Sequence, residues 1–159
     1  MTARRAIVAA AIASSIALVA AGLSAGGGTA RSLVLEVRLD KTSFVTDDVA
    51  PKGRSVGDTY AFSGSVTRAG KPFGRYEDVD VSVDGKIQGF VRTAMLLLPD
   101  GTIAVQGGGG NVGASGWKPG ANDELAVVGG TGAYAGARGT LRPEDLSDSV
   151  MRLTIKLSP

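Results

Sequence analysis

Met151, Leu153, Ile155 and Leu157 alternate with Arg152, Thr154 and Lys156 near the end of the chain. A period of two places apolar side chains on one face of an extended strand and polar ones on the other, which a helix of 3.6 residues per turn does not do. The pattern recurs upstream. Leu33, Leu35, Val37 and Leu39 oppose Glu36, Arg38 and Asp40; Tyr60, Phe62 and Val66 align; and Val79, Val81 and Val83 oppose Asp78, Asp80 and Asp84. Residues 87–98 are apolar on both faces and end in Pro99-Asp100-Gly101, a hairpin signal from which 102–106 returns. Residues 42–56 and the Gly-rich 107–120 read as loops, and further strands are expected at 124–128 and 137–142. About eight strands joined by short turns must hide their edges, in a closed barrel or a two-sheet sandwich. An eight-stranded barrel encloses room for side chains or for one small ligand.

Residues 1–30 stand apart from this pattern. Arg4 and Arg5 precede an uncharged, Ala-rich stretch over 6–23, and small residues follow to Gly28-Thr29-Ala30. That order is expected of a secretory signal peptide cleaved after Ala25 or after Ala30, leaving one domain over 31–159 that is exported from the cell. The stretch is long enough to span a bilayer, but a core made mostly of Ala inserts poorly, so no stable membrane insertion is expected after cleavage. Losing Arg4 and Arg5 from 17 basic residues leaves 15, which matches the 15 acidic ones. A near-neutral domain without a Lys/Arg cluster is a poor partner for nucleic acid, whose binding rests on neutralising phosphates. The chain has no Cys, so packing rather than disulfides must hold the exported domain together. Its bias toward Ala, Gly, Val, Arg and Asp suggests a bacterium of high GC content.

Residues 125–139 carry the most specific motif: Val128-Gly129-Gly130-Thr131-Gly132-Ala133-Tyr134, followed by Ala137-Arg138-Gly139. A dinucleotide fingerprint would need a helix after the glycines and an acidic ribose ligand beyond it. Only twenty residues follow Gly139, and they include Pro143 and end in a strand, so a sharp strand corner is the better reading and no cofactor is expected. In such a corner Tyr134 closes over one barrel end or packs beneath it. This segment resembles the glycine signature of the allene oxide cyclase and dirigent families, with Gly129, Gly130, Thr131, Gly132, Tyr134, Ala137 and Gly139 falling on it. Arg138 stands where dirigent proteins often carry Arg, and Gly57-Asp58 with Phe62, and Gly74-Arg75, resemble the entries to two barrel strands. The resemblance implies an all-β fold, a closed eight-stranded antiparallel barrel of calycin type, and assembly as a homodimer or homotrimer. It further implies chemistry such as cyclising an unstable epoxide or steering the coupling of two phenoxy radicals.

With no His and no Cys, nucleophilic triads and the usual zinc sites are excluded, and no metal is expected. Asp47-Asp48 lacks the spacing of a calcium loop. Carboxylates, Tyr hydroxyls and Arg in an apolar interior are left, a set suited to shaping a reactive molecule, excluding water and supplying one proton or one charge. Glu77 shares strand parity with Val79, Val81 and Val83, so it is a candidate catalytic carboxylate pointing inward near a barrel mouth, with Arg75 as its partner. A solvated ion pair capping the barrel end is the open alternative. Asp40 is the second catalytic candidate because the resemblance places a functional Asp there, although a turn role is as ordinary. Tyr60 and Tyr134 are candidate ligand-binding hydroxyls that would otherwise fill core, and Trp117 is a candidate ligand contact or surface anchor. Arg92, alone in an apolar strand, must face solvent or meet an acid.

Three functions follow: a barrel that binds a small lipophilic molecule and directs its cyclisation or coupling, a secreted carrier without chemistry, and a packed structural barrel of the cell envelope. Small inward candidates at Gly64, Gly89, Ala94 and Ala104 favour an interior with space left in it.

Overall fold

The computed structural model describes residues 31–53, 55–83, 89–109, 111–113, 116–118 and 124–159. Within them the alternating segments become strands β1 (Arg31–Leu39), β2 (Val45–Asp47), β3 (Thr59–Arg68), β4 (Lys71–Ser82), β5 (Phe90–Leu98), β6 (Gly101–Gly109), β7 (Asn111–Gly113), β8 (Gly116–Lys118), β9 (Leu125–Gly130), β10 (Gly139–Ser147) and β11 (Val150–Leu157). A 3₁₀ turn over Gly132–Tyr134 joins β9 to β10. The sheet runs β1-β11-β10-β9-β6-β5-β4-β3, and β3 returns to β1, so eight antiparallel strands close into the expected barrel. Closure leaves β1 and β11 paired along nearly their whole length, from Arg31↔Leu157 to Arg38↔Val150.

The interior is built by the period-two pattern. Leu33, Leu35 and Val37 of β1 meet Met151, Leu153, Ile155 and Leu157 of β11, while Leu96, Ile103, Val105, Val127 and Leu141 complete a core in which most side chains are wholly buried. Burying such a side chain is worth roughly 1.5–3 kcal/mol. Gly64 contributes closeness rather than space: a Cβ there would lie 2.6 Å from the Arg38 carbonyl oxygen and 2.8 Å from Val37 Cγ1. Ala94 is likewise buried, and neither residue marks an opening.

The seam that closes the barrel is short. β3 pairs with β1 from Gly64 to Thr67, but over Thr59–Ala61 it pairs with the short β2 instead. The two long strands part at Asp40, whose N–H donates to the Ser63 carbonyl at 2.8 Å. β2 and the β7–β8 hairpin arise within segments that read as loops in the sequence; at three residues apiece they are too short to show a period.

β4 reverses the expected facing. Its valines point out, with Val79, Val81 and Val83 at 43%, 36% and 51% exposure, while Tyr76, Asp78, Asp80 and Ser82 point in and are buried. Register explains it. Tyr76 is opposite Gly64 on β3 and Leu96 on β5, and Asp78 is opposite Ala94, so the row that includes Leu96 and Ile103 carries the even-numbered residues of β4 into the barrel. A slip of one residue would turn the whole of β4 over and remove Tyr76 from that row.

Candidate functional site

The buried half of β4 places two carboxylates beside the apolar core of the barrel, and β5 supplies their counter-charge. Asp80 is opposite Arg92 in the β4–β5 ladder. The guanidinium donates from Nε to Asp80 Oδ1 at 2.7 Å and from Nη2 to Asp80 Oδ2 at 2.6 Å, the two-pronged geometry that suits Arg and carboxylate. Its Nε also lies 3.2 Å from Asp78 Oδ2. Arg92 therefore meets acids rather than solvent, one of the two fates open to it from the sequence. On the far side of β5 it is opposite Gly107, where a Cβ would crowd Leu125 Cδ2 at 2.6 Å.

Asp78 is the distinctive member. Its side chain is wholly buried, the Tyr76 hydroxyl donates to its Oδ2 at 2.5 Å, the Val79 N–H also acts on the carboxyl, and among the described residues its Oδ1 has no hydrogen-bond partner. Buried polar atoms are nearly always paired, so an unsatisfied carboxylate oxygen marks a place where stability is given up. Burial pushes the Asp78 carboxyl up to about 6; the Arg92 charge opposes that shift, the Asp80 charge adds to it, and the Tyr76 hydrogen bond opposes it. Burial, with the Asp78 charge adding to it, drives the Tyr76 hydroxyl well above the ordinary phenol range, so it stays a donor. Burial alone disfavours the Arg92 cation, but the Asp80 hydrogen bond and the surrounding acids outweigh it and fix the guanidinium in its charged form.

Aromatic rings run from the surface to this cluster. Phe44, which is 55% exposed, lies 6.4 Å from the Tyr60 ring and 6.3 Å from the Phe62 ring. Phe62 lies 6.2 Å from Tyr76. In the β3–β4 register Tyr60 is opposite Asp80 and Phe62 is opposite Asp78, so these rings flank the two acids on the same sheet face.

The residues singled out from sequence are distributed differently. Glu77 and Arg75 are on the outer surface, half or more exposed and paired with each other at 3.1 Å, which corrects the inward orientation expected for Glu77. Parity with the valines was a sound inference, but the valines themselves face out. Asp40 is an exposed turn residue that accepts from the Thr42 N–H at 2.9 Å and the Thr42 hydroxyl at 2.7 Å; those bonds hold its carboxyl below the usual range. Tyr60 is half-buried in the aromatic row. Tyr134 is core, with Arg31 above its ring at 5.8 Å. Trp117 pairs with Val112 through the backbone, and its side chain lies outside the described residues. Of the candidate site residues, Arg92 and Tyr60 belong to the cluster, whereas Asp78, Asp80 and Tyr76 were not foreseen. A signal for them existed: a hairpin between the Val-Asp repeat and residues 90–98 brings a lone Arg opposite an alternating acid.

The glycine motif forms the corner expected of it. The Thr131 N–H donates to the Thr102 carbonyl at 3.0 Å, the Ala133 N–H donates to the Asp100 carbonyl at 2.8 Å, and the Thr102 and Thr131 hydroxyls are 2.8 Å apart. Gly132 has φ of +58°, and a Cβ there would strike the Asp100 carbonyl oxygen. The motif ties the β9–β10 corner to the β5–β6 hairpin, and its role is structural.

Comparisons with known proteins agree with this architecture. No curated protein matches the sequence. Among solved structures, a pyocyanin demethylase superposes with a TM-score of 0.66 at 21% identity, covering 80% of this chain and 100% of its own. A pterocarpan synthase dirigent protein gives 0.60 at 19% identity, covering 81% of this chain and 87% of its own. A Diels Alderase from Streptomyces koyangensis gives 0.56 at 14% identity, covering 84% of this chain and 69% of its own. At such identities the likeness is one of fold. A family model described as the allene oxide cyclase barrel like domain matches residues 39–157, most of the chain and all but the first stretch of the barrel. The chain belongs to the family of allene oxide cyclase barrel-like domains.

Proposed function

We propose that the barrel binds a small lipophilic molecule at Asp78 and that Asp78 exchanges a proton with it, directing its cyclisation or coupling. One observation carries this reading: a wholly buried carboxylate whose Oδ1 has no partner among the described residues, beside the apolar core of the barrel. A carboxyl pushed up to about 6 is near the range in which an acid both gives and takes a proton at neutral pH. Tyr76 and Arg92 position it from the Oδ2 side and leave Oδ1 for the ligand. The names of the structural neighbours, a pyocyanin demethylase, a pterocarpan synthase dirigent protein and a Diels Alderase, support a reading in which this barrel acts on a small organic molecule. Export belongs to the same proposal, resting on Arg4-Arg5, the Ala-rich stretch and the small residues up to Ala30.

Native mass spectrometry of the protein recovered from its own culture medium tests both parts. The expected spectrum shows a chain beginning at Gly26 or Arg31 that carries a retained small molecule, and Asp78→Asn loses that molecule. A protein that is empty and also fails to bind a panel of apolar dyes would instead support a packed structural barrel.

A further inference from the structure

We infer that the Asp78 site selects an organic cation, a small molecule with a protonated nitrogen beside an apolar ring system. This deepens the proposed function and rests on it, since it names the class of molecule bound.

The first support is the count of buried charge. Among the described residues Asp78 and Asp80 face one guanidinium, so with both acids ionised this cluster holds one negative charge more than it neutralises. Arg92 does not offer itself to an anion: its Nε and Nη2 are engaged by Asp80 at 2.7 and 2.6 Å, and the same Nε is 3.2 Å from Asp78. Tyr76, the other ionisable group against Asp78, is a neutral donor already directed at Oδ2. A bound carboxylate would add a second uncompensated negative charge in a medium that solvates it poorly, whereas a cation completes the balance.

The second support is position. Asp78 Oδ1 is buried and no donor among the described residues reaches it, so a ligand N–H would complete its hydrogen bonding. A neutral hydroxyl would also satisfy that oxygen but would leave the excess charge in place. The third is the row of rings from exposed Phe44 through Phe62 to Tyr76, with Tyr60 alongside. Aromatic faces carry the negative end of a quadrupole and attract cations while offering apolar surface to a flat molecule. Charge, hydrogen bonding and ring chemistry thus all favour the same ligand type.

The test uses three fluorescent probes that share one ring system and differ in charge: 1-naphthylmethylammonium, 1-naphthylmethanol and 1-naphthoate. Each is titrated at neutral pH into the full exported chain. The ammonium is expected to bind about tenfold or more tightly than the alcohol, the worth of a hydrogen bond to a charged group, with the carboxylate weakest. Asp78→Asn brings the ammonium to within about threefold of the alcohol, because the charge that distinguished them is gone. The ranking is read on the unaltered protein, so it does not depend on the behaviour of the variant. Naphthoate binding as tightly as the ammonium, or a tenfold preference that survives Asp78→Asn, overturns the inference and leaves the barrel as a small-molecule binder. Failure of all three probes to bind overturns the inference together with the proposed function beneath it.

Discussion

Asp78→Asn should stabilise the protein at neutral pH and remove a pH dependence at the same time. Asn keeps the shape of the protonated acid, and its carbonyl can still accept the Tyr76 hydroxyl that now reaches Oδ2 at 2.5 Å. What disappears is the buried charge. The carboxyl stands at about 6 in the folded protein against 3.8 for the free group, a difference worth roughly 3 kcal/mol. A raised acid binds its proton more tightly folded than unfolded, so its contribution to stability is greatest in acid. That contribution falls as pH rises through the interval from 3.8 to about 6 and is flat above it. Other carboxylates titrate there too; the lowered Asp40 and Asp58 give slopes of opposite sign. The difference between the natural protein and the variant cancels them. Urea unfolding across this pH range should therefore show that difference changing by roughly 3 kcal/mol in favour of the variant on the alkaline side. The new amide is itself imperfectly paired, which offsets about 1–2 kcal/mol and leaves the variant modestly the more stable at pH near 8. A difference that stays constant across the whole pH range would refute the reasoning, since it would mean that Asp78 is ordinary in its affinity for protons.

The other residues of the cluster give contrasting expectations. Arg92→Met leaves Asp78 and Asp80 buried without a counter-charge and should cost about 3–5 kcal/mol in urea unfolding at neutral pH; adding Asp80→Asn should recover part of that loss. Tyr76→Phe removes a hydrogen bond that opposes the upward shift of Asp78, so the carboxyl resonance of Asp78 should titrate above about 6 in carbon-detected NMR. Gly130→Ala places a methyl group against the Thr102 and Tyr134 carbonyl oxygens and should cost about 3 kcal/mol, measured by thermal unfolding, without altering probe binding at Asp78.

Much of the barrel was legible because its strands repeat one signal. The alternation in β1 and β11 marks both their extent and their buried face, since Leu153 and Ile155 oppose only charged or polar residues and the row opposite Leu33 and Leu35 holds a single apolar residue, the exposed Val34. The corner at Gly129–Gly132 was legible for a different reason: backbone carbonyls approach so closely that little but glycine fits, and such positions leave a mark in composition. β4 offered no such asymmetry of meaning. A Val-Asp repeat states that two faces differ, and the usual inference buries the valines, yet only the neighbours on β3 and β5 decide which row enters the barrel. That information is non-local, and the lone Arg92 was its one trace in the sequence.

The inverted strand also bears on why the site exists. Exposing Val79 and Val81 while burying Asp78 and Asp80 sacrifices apolar burial and desolvates two charges, so β4 on its own would prefer the opposite facing. The facing persists because Tyr76 and Leu96 lock the register through the core, and because Arg92 neutralises one acid completely. The residual cost is concentrated on a single atom, Asp78 Oδ1. A packed structural barrel has no need to retain that cost, since an uncharged residue at the same place would remove it. Sequences tend to break their own local rules where function is installed. On this argument the half-satisfied Asp78 carboxylate, rather than the glycine signature that identifies the fold, is where the activity of this chain is to be sought.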